Sequence, residues 1–161
     1  MAAAAQKTVS FPTEDGGEVY ADVYGGGDRG IVLAHGGRFN KESWEKQART
    51  LATGGFRVLA LDFRGYGKSR GPGESTPMSA PLHLDVLAAV RYLRKIGAKS
   101  VSVVGGSMGG GAAGDASIAS RPSEIDANEA GLAFPGFTRD SALVTIPTAS
   151  PLFQYEDVHP G

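Results

Sequence analysis

Three short apolar runs govern what this chain can fold into: Ile31–Ala34, Phe56–Asp62 and Val101–Val104. Ile31–Ala34 is continuous rather than alternating, as a strand buried on both faces of a sheet requires, and each run is followed by a loop and then a helical pattern. Strands alternating with helices dictate a parallel sheet with helices packed on its faces. The segments between the runs agree. Ser43 is placed to cap a helix running to about Thr53, with Trp44, Ala48 and Leu51 on one face and Gly54-Gly55 as its stop. Ser79 and Pro81 open a second helix in which Leu82, Val86, Ala89, Val90, Leu93 and Ile96 share a face, and Gly97 ends it. Met108–Ala119 forms the third.

Ahead of the first run, Thr8–Phe11 and Glu18–Tyr24 flank the turn-like Pro12-Thr-Glu-Asp-Gly-Gly and predict an antiparallel hairpin. The order is therefore ββ followed by βα three times, an α/β architecture with a mostly parallel sheet and flanking helices. Past about Pro122 the alternation stops. Residues 123–161 carry one strand-like run, Ala142–Ile146, among prolines and turn residues, and are expected to be a divergent, partly disordered segment attached to an N-terminal portion spanning 1–122. At 161 residues with 41% hydrophobic content the chain is one domain's worth and apolar enough to bury a core.

Charge excludes several functions. Sixteen Lys and Arg balance seventeen Asp and Glu, so a net charge of −1 gives no field with which to gather nucleic acid or an anionic membrane. No apolar run approaches the roughly 20 residues that span a bilayer, and MAAAAQK lacks the basic and apolar regions of a secretory signal. A cytoplasmic location is the expectation. The lack of cysteine removes disulfides, thiolate metal sites and cysteine nucleophiles, and three scattered histidines (His35, His83 and His159) argue against a metal cluster.

The chemistry concentrates in SVSVVGGSMGGGAAG, residues 100–114, where one serine sits among glycines. As a phosphate cradle, Gly105-x-x-x-Gly109-x-Gly111 has the spacing found in short-chain dehydrogenases. Such a motif belongs on a domain's first strand, however, and the chain has neither a Tyr-x-x-x-Lys pair nor a P-loop. As a nucleophile elbow, Gly105-Gly106-Ser107-Met108-Gly109 fits G-x-S-x-G with the required strand before and helix after. In that turn Ser107 takes a strained conformation, and the glycines two residues to either side remove side chains that would collide. The Met108 N–H, at a helix N-terminus, is then aimed at a developing oxyanion.

Three stretches in this order make the chain similar to the α/β-hydrolase superfamily: Ile31-Val-Leu-Ala-His35-Gly36-Gly37, Leu61-Asp62-Phe-Arg64-Gly65-Tyr-Gly67-Lys-Ser69, and the Ser107 turn. The resemblance covers about residues 8–122. It implies that Ser107 is the nucleophile, that Gly37 supplies the second oxyanion N–H beside Met108, that the Asp62–Ser69 stretch is a structural turn near the site, and that His35 shapes its own loop. His83 reads as a residue of the first turn of its helix.

A serine hydroxyl needs a histidine base oriented by a carboxylate, and in this superfamily both follow the nucleophile in the chain. Only 54 residues follow Ser107, so the pattern is expected to be truncated after the elbow helix. His159 is the sole histidine among them and becomes the candidate base; Asp115, Asp126, Asp140, Glu156 and Asp157 are candidate acids. Asp115 reads as a solvated helix residue, whereas Asp126-Ala-Asn-Glu-Ala-Gly-Leu resembles the loop after the acid strand in some bacterial hydrolases, which selects Asp126. The resemblance implies serine hydrolysis of a small-molecule ester, thioester or related acyl substrate, with no cofactor. A non-catalytic chain acting through partner binding or self-association at an exposed sheet edge is the alternative, and nucleotide-dependent oxidoreduction the third.

Overall fold

The computed structural model describes residues 5–73, 76 and 79–119, and the backbone of 141–146. Six strands form one sheet: β1 (Gln6–Pro12), β2 (Glu18–Tyr24), β3 (Arg29–Ala34), β4 (Arg57–Leu61), β5 (Ser100–Gly106) and β6 (Ser141–Ile146). The helices are α1 (Glu45–Thr53), α2 (Leu82–Lys95) and α3 (Met108–Ala119). Spatial order is β1-β2-β4-β3-β5-β6, with β4, β3 and β5 parallel in the middle and antiparallel strands on both sides. The α/β architecture is the expected one, and its sheet is mixed.

The apolar runs are nearly continuous because both faces of the central strands are covered. Val32, Ala34, Leu59, Leu61, Val101 and Val103 point to the side packed by α2 and α3, and join Val86, Leu93 and Ala113 there. Ile31, Leu33, Val58, Ala60 and Val104 point the other way, against Trp44, Ala48 and Phe56 around α1. A period of two on strands sandwiched between helices puts apolar side chains on both faces, with Ser102 of β5 half-buried among them.

One local expectation is corrected. Ser43 does not cap the first helix. A 3-10 turn, Lys41–Trp44, precedes α1, and its cap is Asn40, whose side chain accepts from the Ser43 N–H at 3.2 Å. The backbone winds early because the Lys41 N–H donates to Asp62 Oδ1 at 2.8 Å and the Lys41 ammonium pairs with Asp22 at 3.1 Å. Residues 123–161 include a paired strand: β6 runs antiparallel along β5, with Gly106 opposite Ser141 and Val101 opposite Ile146. The strand-like reading of Ala142–Ile146 is thus met, and among the described residues β6 is the last strand on that side of the sheet.

Parallel register brings three loops to one end of the sheet. Ala34 pairs with Leu61 on one side and with Gly105 on the other. The loops that leave these strands, beginning at His35, Asp62 and Ser107, therefore emerge together, at the carboxyl ends where open α/β sheets place their sites.

Candidate active site

Ser107 has φ +53°, the one positive value at a non-glycine among the described residues, and it is exposed. A left-handed backbone costs an L-residue about 1–2 kcal/mol, so the surrounding packing must enforce it. The glycines show how. A Cβ on Gly105 would overlap the backbone of Gly109, and one on Gly109 would overlap the Ala34 carbonyl. The turn is so tight that strand, helix and the neighbouring strand's end touch backbone to backbone. The Ser107 carbonyl accepts from Gly110 and Gly111 at 2.9 and 3.1 Å, which starts α3 directly behind the hydroxyl. These glycines are thereby accounted for by packing.

Met108 is the first residue of α3, ahead of the N–H groups of Gly110 and Gly111 that bond the Ser107 carbonyl, so its own N–H stands at the positive end of the helix dipole. The loop from β3 lies alongside. A Cβ built on Gly36 would stand 3.4 Å from Ser107 Cβ, and one on Gly37 would stand 3.8 Å from Met108 Sδ. Ser107, Met108 and Gly37 are therefore brought together, as the resemblance implies.

His35, 1% exposed, has both ring nitrogens engaged. Its Nε2 accepts from the Phe63 N–H at 3.2 Å, so the proton sits on Nδ1, which donates to the Gly36 carbonyl at 2.8 Å. Burial pushes its pKa below 6.5, keeping the ring neutral as this pair of bonds requires. The Gly36 carbonyl and the Gly37 N–H share one planar trans peptide unit and point in opposite directions. By holding the carbonyl, His35 sets the direction of the N–H. It shapes the loop and is not free to serve as a base.

Tyr66, which the sequence reading left unassigned, belongs to this cluster. Its hydroxyl donates to the Gly37 carbonyl at 2.8 Å, its ring meets His35 edge-on at 4.7 Å, and Met108 Sδ lies 3.9 Å from its oxygen. The signal was the aromatic residue inside Arg64-Gly65-Tyr66-Gly67. Its partner lies 29 positions away, so spacing alone did not show the contact.

The Asp62–Ser69 stretch is a structural turn, as expected. The Tyr20 N–H donates to Ser69 Oγ at 2.8 Å, and the Gly65 N–H donates to the Ser69 carbonyl at 2.9 Å. Arg64, 4% exposed, donates from its backbone N–H, Nε and Nη2 to the fully buried Asp85 at 2.6–2.9 Å, and from both terminal nitrogens to Asp15 at 2.7 and 3.0 Å. Burial opposes the guanidinium charge, but the two carboxylates outweigh it and raise the Arg64 pKa. Burial also pushes the Asp85 carboxyl up, against the Arg64 hydrogen bonds that favour its charged form.

Of the other candidates, Asp115 is exposed on α3 and His83 is half-buried in the first turn of α2. Asp126, Asp140, Glu156, Asp157 and His159 lie outside the described residues. A surface cavity of about 480 Å³ lies among Thr8, Tyr20, Asn40, Lys41, Asp62 and Lys68, apart from Ser107. The Lys41 ammonium within it is paired with Asp22 and Glu42. Among the described residues no group of His, Asp or Glu is placed to hold a metal ion, and no helix is long and apolar enough to cross a membrane.

The alternating sheet, the strained serine turn and the adjoining glycine loop define one class of protein, and comparison agrees. The alpha/beta hydrolase fold family matches residues 31–127, more than half of the chain, and the chain belongs to that family. It is 36% identical over 97 residues to a non-heme haloperoxidase of Rhodococcus erythropolis, covering 60% of this chain and 34% of that one. It is 39% identical over 82 residues to bifunctional epoxide hydrolase 2 of Sus scrofa, covering 50% and 14%. The solved esterase Pf2001 of Pyrococcus furiosus aligns with a TM-score of 0.63 at 28% identity, covering 71% and 47%. The chain thus spans less than half the length of each of these relatives.

Proposed function

We propose that the chain carries the nucleophile and oxyanion half of a serine hydrolase acting on an ester, thioester or related small acyl substrate. One observation carries this reading: a serine at φ +53°, exposed at a helix N-terminus and facing the Gly36-Gly37 loop. The esterase likeness supports acyl transfer, while the epoxide hydrolase and haloperoxidase likenesses support only the wider family. In the proposed reaction Ser107 Oγ attacks the acyl carbonyl carbon and its proton passes to a histidine. The N–H groups of Gly37 and Met108 hold the oxygen as it gains charge; the leaving alcohol or thiol takes the proton, and water then releases the acyl group from Ser107. His159, oriented by Asp126, is our candidate base, and the chemistry calls on no cofactor.

Labelling with a fluorophosphonate tests the nucleophile. Stoichiometric modification of the wild-type chain that vanishes in Ser107→Ala supports the reading, and labelling that is equal in both, or absent from both, sinks it. His159→Ala should lower ester turnover to the residual level left by oxyanion stabilisation alone; unchanged turnover removes His159 as base. A second reading, association through a sheet edge, is supported by β6 lying at the end of the sheet, with no further strand beside it among the described residues. Light scattering across a concentration series distinguishes it, since a chain that stays monomeric throughout does not associate by that edge.

A further inference from the structure

We propose that Tyr66 is a positioning residue of the oxyanion loop, acting through its hydrogen bond to the Gly37 carbonyl. This role rests on the acyl-transfer reading above and extends it to a side chain outside the Ser107 turn and outside the loop itself. The loop needs such support. Gly37 is exposed, and glycine has the widest choice of backbone conformations. His35 holds the Gly36 carbonyl and so orients the peptide unit that contains the Gly37 N–H. The Phe39 N–H also donates to the Gly36 carbonyl, at 3.0 Å, and closes a four-residue turn, but a turn of this kind leaves its central unit, the Gly37 carbonyl with the Arg38 N–H, able to rotate. The Tyr66 hydroxyl closes this freedom with a 2.8 Å bond.

Tyr66 is itself held from several sides. Its ring packs edge-on against His35 at 4.7 Å, its N–H donates to the Phe63 carbonyl at 2.9 Å, and its carbonyl accepts from the Ser69 N–H at 3.0 Å. Two residues away, Arg64 is locked by Asp85 and Asp15. The hydroxyl is therefore delivered from a rigid turn to the middle of the turn that Gly36 and Phe39 close by a backbone bond, whose central peptide unit has no other hydrogen bond among the described residues. Two successive carbonyls of the loop, those of Gly36 and Gly37, are each fixed by a separate aromatic side chain, and both side chains stand on residues packed against each other. That arrangement is the preorganisation an oxyanion donor requires, because a donor that must reorient during reaction loses its advantage over water.

The test is Tyr66→Phe, which keeps the ring packing and deletes the hydroxyl. Hydrolysis of a p-nitrophenyl ester and its thionoester analogue is measured, with nitrogen-15 relaxation of the Gly37 and Arg38 amides in the same samples. We expect kcat for the ester to fall about tenfold with KM within twofold, less than the hundredfold or more caused by loss of an oxyanion donor. The ratio of ester to thionoester rates should shrink, because sulfur already forgoes the oxyanion contacts, and the two amides should gain mobility. Equal losses on both substrates, a change confined to KM, or unchanged rates overturn the proposal. If the wild-type chain shows no Ser107-dependent turnover, the acyl-transfer reading fails by itself; unaltered Gly37 and Arg38 relaxation in Tyr66→Phe then overturns the positioning role, and increased mobility upholds it. If Tyr66→Phe does not fold, 3,5-difluorotyrosine at position 66, whose hydroxyl titrates well below tyrosine's, replaces it. Ester turnover that falls as that hydroxyl ionises supports the role, and a flat profile overturns it.

Discussion

Two ends of one loop show two ways of using a backbone. At Arg64 the loop is bound by a buried guanidinium whose charge is answered by Asp85 and Asp15 in four hydrogen bonds, with a fifth to Asp85 from the backbone N–H. Two residues on, at Tyr66, the same loop faces an exposed serine in a strained conformation and a glycine segment held by three uncharged hydrogen bonds, from His35, Phe39 and Tyr66. The anchored end spends its polar groups on the fold, and the open end leaves a hydroxyl and helix N–H groups to face solvent. A strained site of this kind is tenable only beside a rigid frame.

If this contrast is right, substitutions at the open end should change chemistry and those at the anchored end should change stability. The largest effect belongs to Ser107→Ala. Steady-state turnover of an ester substrate should fall on the order of 10⁶-fold, about 8 kcal/mol of transition-state stabilisation, with the unfolding midpoint nearly unchanged. At the other end Arg64→Met leaves the Asp85 carboxylate, 0% exposed, without its partner. It should cost about 3–5 kcal/mol in urea denaturation, and Arg64→Met combined with Asp85→Leu should recover most of that loss. A single substitution that damaged turnover and stability equally at both ends would break the comparison.

The strain itself provides a smaller test. Ser107→Gly removes the Cβ that resists φ +53° and should raise stability by about 1 kcal/mol while abolishing turnover. A chain that is no more stable with glycine there would show that the elbow is not strained.

The sequence made one end far more legible than the other. Gly105, Ser107 and Gly109 lie within five residues, and their steric reasons are local, so the elbow could be read from spacing. The apolar runs announced the central strands because burial on both faces leaves little room for alternation. Arg64, Asp85 and Asp15 gave no such signal, since their pairing crosses 21 and 49 positions and depends on how α2 and the first hairpin pack. The cap was misplaced at Ser43 for a related reason: Asp62, from another strand's end, holds Lys41 and starts the turn early. The strand at Ala142–Ile146 was visible in composition but its antiparallel direction was not, because a short apolar run reads the same whichever way it pairs. Asp126 and His159, chosen by resemblance and by elimination, lie outside the described residues.

The smallest expected effects are in pH, and they separate the two ends along one axis. At the open end burial holds the His35 pKa below its ordinary 6.5. As pH falls through 6.5 the unfolded chain takes up a proton that the folded chain refuses, so stability present above 6.5 declines below it. At the anchored end the hydrogen bond from Arg64 is the main cause that lowers the Asp15 pKa from 3.8 to about 2. Between those values the unfolded chain again binds more protons, and the Asp15 contribution, complete above 3.8, is lost as pH drops toward 2. Burial raises the Asp62 and Asp85 carboxyls, so the folded chain takes up their protons first and gains stability as pH falls toward 3.8. Urea midpoints measured from pH 8 to 2 should therefore show one decline on either side of that gain. Asp15→Asn should flatten only the lower decline, and His35→Asn only the upper. Each effect is modest, because Asp15 is partly solvated and His35 contributes a single proton. Loss of both declines in either variant would mean that the frame and the oxyanion loop titrate as one unit, and the distinction between them would fail.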